Sequence, residues 1–194
     1  LAPLSTGRQL ETLRRALRQG ELTADHARPD LQQWIDLFRR SPEPGFQVLV
    51  LELLAPLPDP AVAELAEDAL TARGDGVRLA GLRLLLEHSP DRLADLDPRL
   101  RDDDNLEIRL LLAERMYATR PAAAVDRVFE ILEEEALGPR ELHALERGIE
   151  FLVDETNPAG LRPRLEALRD SVRDPEGFLD WGLDRLQRRT EGNS

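Results

Sequence analysis

The 194 residues contain no cysteine and no lysine; all 26 positive charges are arginine. Without cysteine there is no thiol nucleophile, no disulfide framework, no iron–sulfur ligation and no Cys-based zinc site. Without lysine, Schiff-base chemistry and a phosphate-loop lysine are closed. Aromatic residues are only 4% of the chain. No apolar run approaches the roughly 20 residues of a membrane span. No charged segment followed by an apolar stretch marks a signal peptide, so the expectation is a cytoplasmic protein. The chain begins at Leu1, which also fits a domain excised from a longer protein.

What is abundant is acid. There are 38 Asp and Glu against 26 Arg, a formal charge of −12. A phosphate binder needs clustered positive charge, so the balance disfavours nucleic acid. The charge is uneven. Residues 1–40 carry seven Arg against five acids, residues 156–194 carry seven of each, and the middle of the chain is strongly acidic. A local basic patch at either end stays open.

Helical spacing dominates. Leu10, Leu13 and Leu17 follow Ser5 and Thr6 as candidate caps, and Leu31, Ile35 and Phe38 follow Pro29. Val62, Leu65 and Ala69 follow Asp59-Pro60, Val125 and Phe129 follow Pro121, and Leu161, Leu165 and Leu168 follow Pro158. Proline in a first helical turn gives up no helical hydrogen bond and presets φ, so these prolines mark helix starts. Phe46–Leu51 has the composition of a strand, but its length and its likeness to later segments favour a helix.

Those later segments repeat. Pro44–Leu49, Asp75–Ala80 and Leu106–Leu111 align without gaps at a spacing of 31, and Arg140–Leu145 follows at 34. Pro-initiated helices lie between them. A helix pair cannot bury its apolar face alone, so such pairs stack. The expected fold is all-α: a single domain over 1–194, an α-solenoid of antiparallel helix pairs in a right-handed superhelix. A capping helix is expected within 5–26, about five pairs over 27–189, and a polar tail at 190–194.

The pattern resembles HEAT repeats of the short bacterial kind, within the wider HEAT/armadillo class. Asp59-Pro60-Ala61-Val62 is similar to the opening of a first helix. Asp75-x-Val77-Arg78 and Asp104-x-x-x-Ile108-Arg109 are similar to the signature of a second helix. The resemblance implies an inter-repeat ladder of Asp75, Arg78, Asp104 and Arg109. The tetratricopeptide repeat has a closer period, but its Trp, Gly and Tyr landmarks are absent.

Candidate sites are few. His26, His88 and His143 lie on separate repeats, without the close helical spacing of a metal site, and surface or capping roles suit them. A Ser–His–Asp triad has no nucleophile motif to support it. Asp102-Asp103-Asp104-Asn105 is half of a cation loop or, more simply, a helix cap. Glu133-Glu134-Glu135 is a solvated face or an electrostatic partner site. Glu52, Arg83 and Glu114 share one repeat position, forming either a structural salt ladder or a polar stripe for a partner. Glu87, Arg115, Glu146 and Glu150 extend that face. The leucines beside it, Leu84–Leu86 and Leu110–Leu112, are either buried on both sides or an open groove. Trp34 and Trp181 are end-cap core or binding contacts.

The function expected from this set is a non-enzymatic scaffold or adaptor that binds another protein, with no cofactor, no metal and no membrane. The resemblance also brings two alternatives: an alkyl-base DNA glycosylase-type protein, and an accessory protein related to the lyases that handle phycobilin pigments. The acidic, aromatic-poor centre argues against the first, and no residue calls for a pigment.

Overall fold

The computed structural model describes residues 7–134, 142–156, 160–172, 174 and 176–192. These residues are helical throughout the ordered elements, and no strand occurs among them. The chain divides into two compact units, Leu1–Ala94 and Asp95–Ser194.

Unit 1 contains α1 (Gly7–Arg18), α2 (Ala24–Ala27), α3 (Leu31–Arg40), α4 (Pro44–Leu54), α5 (Pro60–Ala69) and α6 (Asp75–His88). Proline opens α4 and α5, and the Asp59 carboxylate accepts the Ala61 N–H at 2.9 Å to cap α5. Both are starts that the sequence marks. Phe46–Leu51 lies inside α4 and is helical. Pro29 and Pro90 instead sit in short 3-10 turns, so the helices that follow them begin late. Tight α1–α2 turning needs Gly20, whose φ is +73°. Trp34 is half-buried near Leu13, Leu17, Phe46 and Leu53, around a small void. That position fits its reading as end-cap core.

α4 packs against α1, α3 and α6, while α5 lies against α6. Leu84, Leu85 and Leu86 are 1–4% exposed. The open-groove alternative therefore fails here: α6 is apolar nearly all round because it is covered on nearly all sides. The α5–α6 approach is closest at Gly81, where an added Cβ would stand 2.6 Å from the Ala69 Cβ and 2.9 Å from the Ala66 carbonyl oxygen. Arg39 on α3 binds Asp68 on α5 through Nε and Nη2, at 2.9 and 2.8 Å. Arg92 reaches Glu67 at 2.5 Å.

The helix α7 (Leu93–Leu100) spans the boundary of the two units. Unit 2 continues with α8 (Leu106–Met116), α9 (Pro121–Glu134), α10 (Leu142–Glu150), α11 (Leu161–Ser171) and α12 (Phe178–Gly192). Residues 151–155 extend α10 as one π-helical turn. α8 packs on α9, α9 on α11, α11 on α12, and α10 touches α8, α9 and α12. Their common core includes Leu110, Phe129, Leu132, Leu145, Ile149, Leu165 and Leu179. Leu110, Leu111 and Leu112 are 0–5% exposed, which closes the groove alternative on α8 as well. Pro163 falls in the first turn of α11 and does not kink it.

The acidic run before α8 is a cap. The Asn105 side chain accepts the Glu107 and Ile108 N–H groups at 2.8 and 3.3 Å, and Asp103 accepts the Asn105 N–H at 2.9 Å. One expected boundary needs correction. Residues 190–192 belong to α12 and not to a polar tail. Gln187 donates to Glu191 at 2.8 Å and the Thr190 hydroxyl to the Gln187 carbonyl at 2.7 Å, so polar side chains close the last turn. The expected caps Ser5 and Thr6, the helix start at Pro158, Glu135 of the acidic triplet, Arg140 of the fourth repeat motif and residues 193–194 lie outside the described residues.

Gly81→Ala is expected to destabilise the protein by about 2 kcal/mol, because the new methyl meets backbone and a short side chain that cannot move aside. Gly76, exposed in the first turn of α6, has nothing within 4 Å of an added Cβ. Gly76→Ala is expected to be neutral or to stabilise by about 0.5 kcal/mol. Urea denaturation of the two variants checks the opposite signs, and equal stabilities would dispose of the close-approach argument.

Candidate interaction face

The polar positions of unit 2 gather where α8, α10, the π turn and α12 present side chains to solvent. Glu114, in the last turn of apolar α8, receives a two-pronged hydrogen bond from Arg147 of α10. Arg147 Nε reaches Oε1 at 2.8 Å and Nη2 reaches Oε2 at 2.6 Å. The planar fork of arginine matches a carboxylate in this way, and lysine cannot. The side chains are 18% and 24% exposed, so water screens the pair only in part.

Hydrogen bonding to Glu114 is the main reason that the Arg147 guanidinium is held above its ordinary pKa; partial burial opposes this, and the charges of Glu114 and Glu107 add to it. A cation whose folded pKa is raised stabilises the fold fully below its unfolded pKa. That stabilisation is lost only as pH rises through the folded value, in strong alkali. Arg147 therefore stays charged at every ordinary working pH.

Beside this pair lies an open recess of about 300 Å³, lined by Glu114, Arg147, Glu150, Phe151 and Asp154. Glu150 is exposed at its rim. Phe151 is fixed from behind by Tyr117, edge-on at 5.6 Å and 89°. The π turn adds one residue per turn relative to an α-helix, and such turns often re-aim side chains at functional surfaces. Here Asp154 accepts from Arg185 Nε of α12 at 2.6 Å. Buried Thr156 closes the turn by donating to the Leu152 carbonyl. Arg185 in turn lies over Trp181, 5.3 Å from the ring centroid.

The predicted positions divide between the two units. Glu52 is exposed on α4 and lines a recess of about 200 Å³ with Arg14, Leu17, Arg18 and Val48. Arg83 and Glu87 are exposed on α6. In unit 2, Glu114 and Glu150 line the recess beside Arg147, Glu146 is half-buried on α10, and Arg115 is exposed next to Glu114. Glu146 accepts from His143 Nδ1 at 3.3 Å.

Two of the ladder residues, Asp75 and Arg78, make local hydrogen bonds. Asp75 follows the N-cap Gly74 and accepts the Gly76 N–H at 2.7 Å. Arg78 donates to the Ala72 and Arg73 carbonyls at 3.2 and 3.3 Å, which ties α6 to the end of the preceding turn. Asp104 is exposed before the α8 cap, and Arg109 is 8% exposed within α8.

Arg147, Phe151, Asp154 and Arg185 were not singled out in the sequence. A repeat offset of 34 from Glu114 lands on Gly148, one residue from Arg147. Gly148 turns inward, where an added Cβ would meet Leu132 at 3.1 Å, and this leaves the neighbouring arginine to face Glu114. The glycine was the readable signal. No sequence signal marks the π turn.

A second, larger recess of about 410 Å³ is lined by Tyr117, Pro121, Ala122, Val125, Asp126, Gly160, Leu161 and Arg164. Its charges satisfy each other: Arg164 binds Asp126 at 2.6 Å and lies 3.9 Å above the Phe129 ring. The histidines have local roles. His26 meets the Thr23 hydroxyl at 2.8 Å in a capping arrangement, and His88 Nε2 donates to the Ala55 carbonyl at 2.7 Å. Among the described residues, no group of three or more His, Asp or Glu is placed to hold a metal ion. No helix among them is long and apolar enough to cross a membrane. Comparison with protein-family models, with curated proteins and with solved structures found no match.

A double-mutant cycle tests the central pair. Glu114→Gln and Arg147→Met are each expected to destabilise unit 2, with a coupling energy of about 1–2 kcal/mol. Thermal or urea unfolding at neutral pH reads it. A coupling indistinguishable from zero would mean that the pair is no more than a solvent-screened surface contact.

Proposed function

We propose that the helix pairs are HEAT-like repeats and that the chain is a non-enzymatic scaffold binding another protein. The observation that carries this reading is the face on α8, α10 and α12. Its charged groups are held in fixed geometry by the Glu114–Arg147 and Asp154–Arg185 pairs, yet the recess between them stays open and Glu150 stands free of the core. Preorganised polar groups around an aromatic floor suit recognition, because less side-chain freedom is lost on binding. The exposed charges of α4 and α6 extend the same kind of surface in unit 1. The surrounding leucines are consumed by the core, so binding through this face is electrostatic and polar.

Charge on such a face governs association and its salt dependence. The test is affinity capture from source-cell extract, identification of any retained protein, and a binding titration with that protein purified. Glu150→Arg and Glu52→Arg are expected to weaken the complex by about tenfold or more between them, and high salt to weaken the wild-type complex. Retention of nucleic acid alone, or undiminished binding by the charge-reversed protein, would overturn the reading.

A further inference from the structure

The last helix carries a feature of opposite sign. Trp181, Arg185, Arg188 and Arg189 line an open recess of about 330 Å³. On α12 they stand at i, i+4, i+7 and i+8, one continuous stripe of about 12 Å along the helix axis. In a chain of net charge −12 this is a local concentration of guanidinium groups beside an indole.

The three arginines differ in how they are satisfied. Arg185 is fixed by Asp154 at 2.6 Å and by the Trp181 ring. Arg188 makes one long hydrogen bond to the carbonyl of Asp184 in its own helix, at 3.4 Å. Arg189 Nη1 is buried and has no hydrogen-bond partner. Arginine cannot shed its proton to relieve such a position, and an orphaned buried donor calls for an acceptor. Arg188 and Arg189 both line the recess, where an oxyanion meets the N–H groups their side chains present to it.

We propose that this stripe binds a short acidic segment of a partner protein, with carboxylates on Arg188 and Arg189 and an apolar side chain against Trp181. This rests on the scaffold reading in taking the partner to be a protein. The length of the stripe matches about four residues of extended chain, whereas a lone small anion spans only part of it. Carboxylates bound the stripe on α12 itself: Asp180 and Glu191 toward its ends and Asp184 at its side, all exposed. A long polyanion such as nucleic acid runs past Asp180 and Glu191 at the two ends, while a short acidic segment does not extend beyond the stripe. Arginine forks suit carboxylates and stack on aromatic rings.

The test uses the full chain and a fluorescein-labelled peptide of four glutamates around one leucine, read by anisotropy at low and physiological salt. Wild type is expected to bind it and not the peptide with glutamine for glutamate. Arg188→Glu with Arg189→Glu is expected to lose at least tenfold in affinity. Arg188→Lys with Arg189→Lys retains part of it, since the charge remains and the fork is gone. Trp181→Leu is expected to weaken binding with a smaller salt dependence than the charge reversals. Circular dichroism and melting verify that each variant is folded, and the lysine pair keeps the test valid if the glutamate pair is not. Glu150→Arg is expected to leave peptide binding unchanged, which separates failure of this site from failure of the face around Arg147. Absence of binding by wild type, equal binding by the charge-reversed variant, or preferential binding of inorganic phosphate or a single-stranded oligonucleotide would each overturn the proposal.

Discussion

Helices α4, α6 and α8 are so apolar that nearly every side must be covered, and the rest of each unit follows from that requirement. α6 is enclosed by α4 and α5; α8 is packed against α9 and α10. Once these contacts are made, few positions on each helix still face water. Past their first turns, Glu52 on α4, Arg83 and Glu87 on α6 and Arg115 on α8 are exposed, and Glu114 on α8 is partly so. In each unit, the exposed charges on these helices are what remains after the core has been satisfied. Burying a charge without a partner costs free energy comparable to the stability of a whole domain, so the few exposed places are where charges collect.

The same requirement explains what was legible. Helix existence and class follow from the spacing of leucines and from prolines at positions 44, 60 and 121, because a missing N–H costs nothing only in a first turn. Burial of Leu84–Leu86 and Leu110–Leu112 follows from the lack of a polar face. Residues 90–92 form a separate 3-10 turn before α7, so Pro90 does not open the helix itself. Glu114 was named through the repeat spacing and Glu150 as an extension of the same positions, and both line the recess beside Arg147. Arg147 was not, because the fourth repeat is three residues longer and its register position falls on Gly148. Asp154 was not, because a π turn changes which residues share a side without any change of composition.

The absence of lysine acquires a structural meaning in this setting. The described side-chain ion pairs within each unit use arginine or histidine, and several link helices two apart in the chain: Arg39 to Asp68, Arg164 to Asp126, Arg147 to Glu114 and Arg185 to Asp154. Guanidinium groups offer several donors in a fixed plane, so one side chain can hold a carboxylate and also lie over a ring, as Arg164 and Arg185 do. Arginine usage of this kind couples packing to charge, and replacement by lysine at these places would not be a conservative change.

The π turn at residues 151–155 has one more consequence. Each residue of an α-helix advances about 100° around its axis, so a single extra residue decides which way the last side chains of that helix point. Removing one residue there would restore ordinary winding and swing Asp154 about a quarter-circle or more away from Arg185. Insertions and deletions are usually tolerated in loops and rejected in helices. In this protein the shape of one side of unit 2 hangs on a helix that is one residue too long.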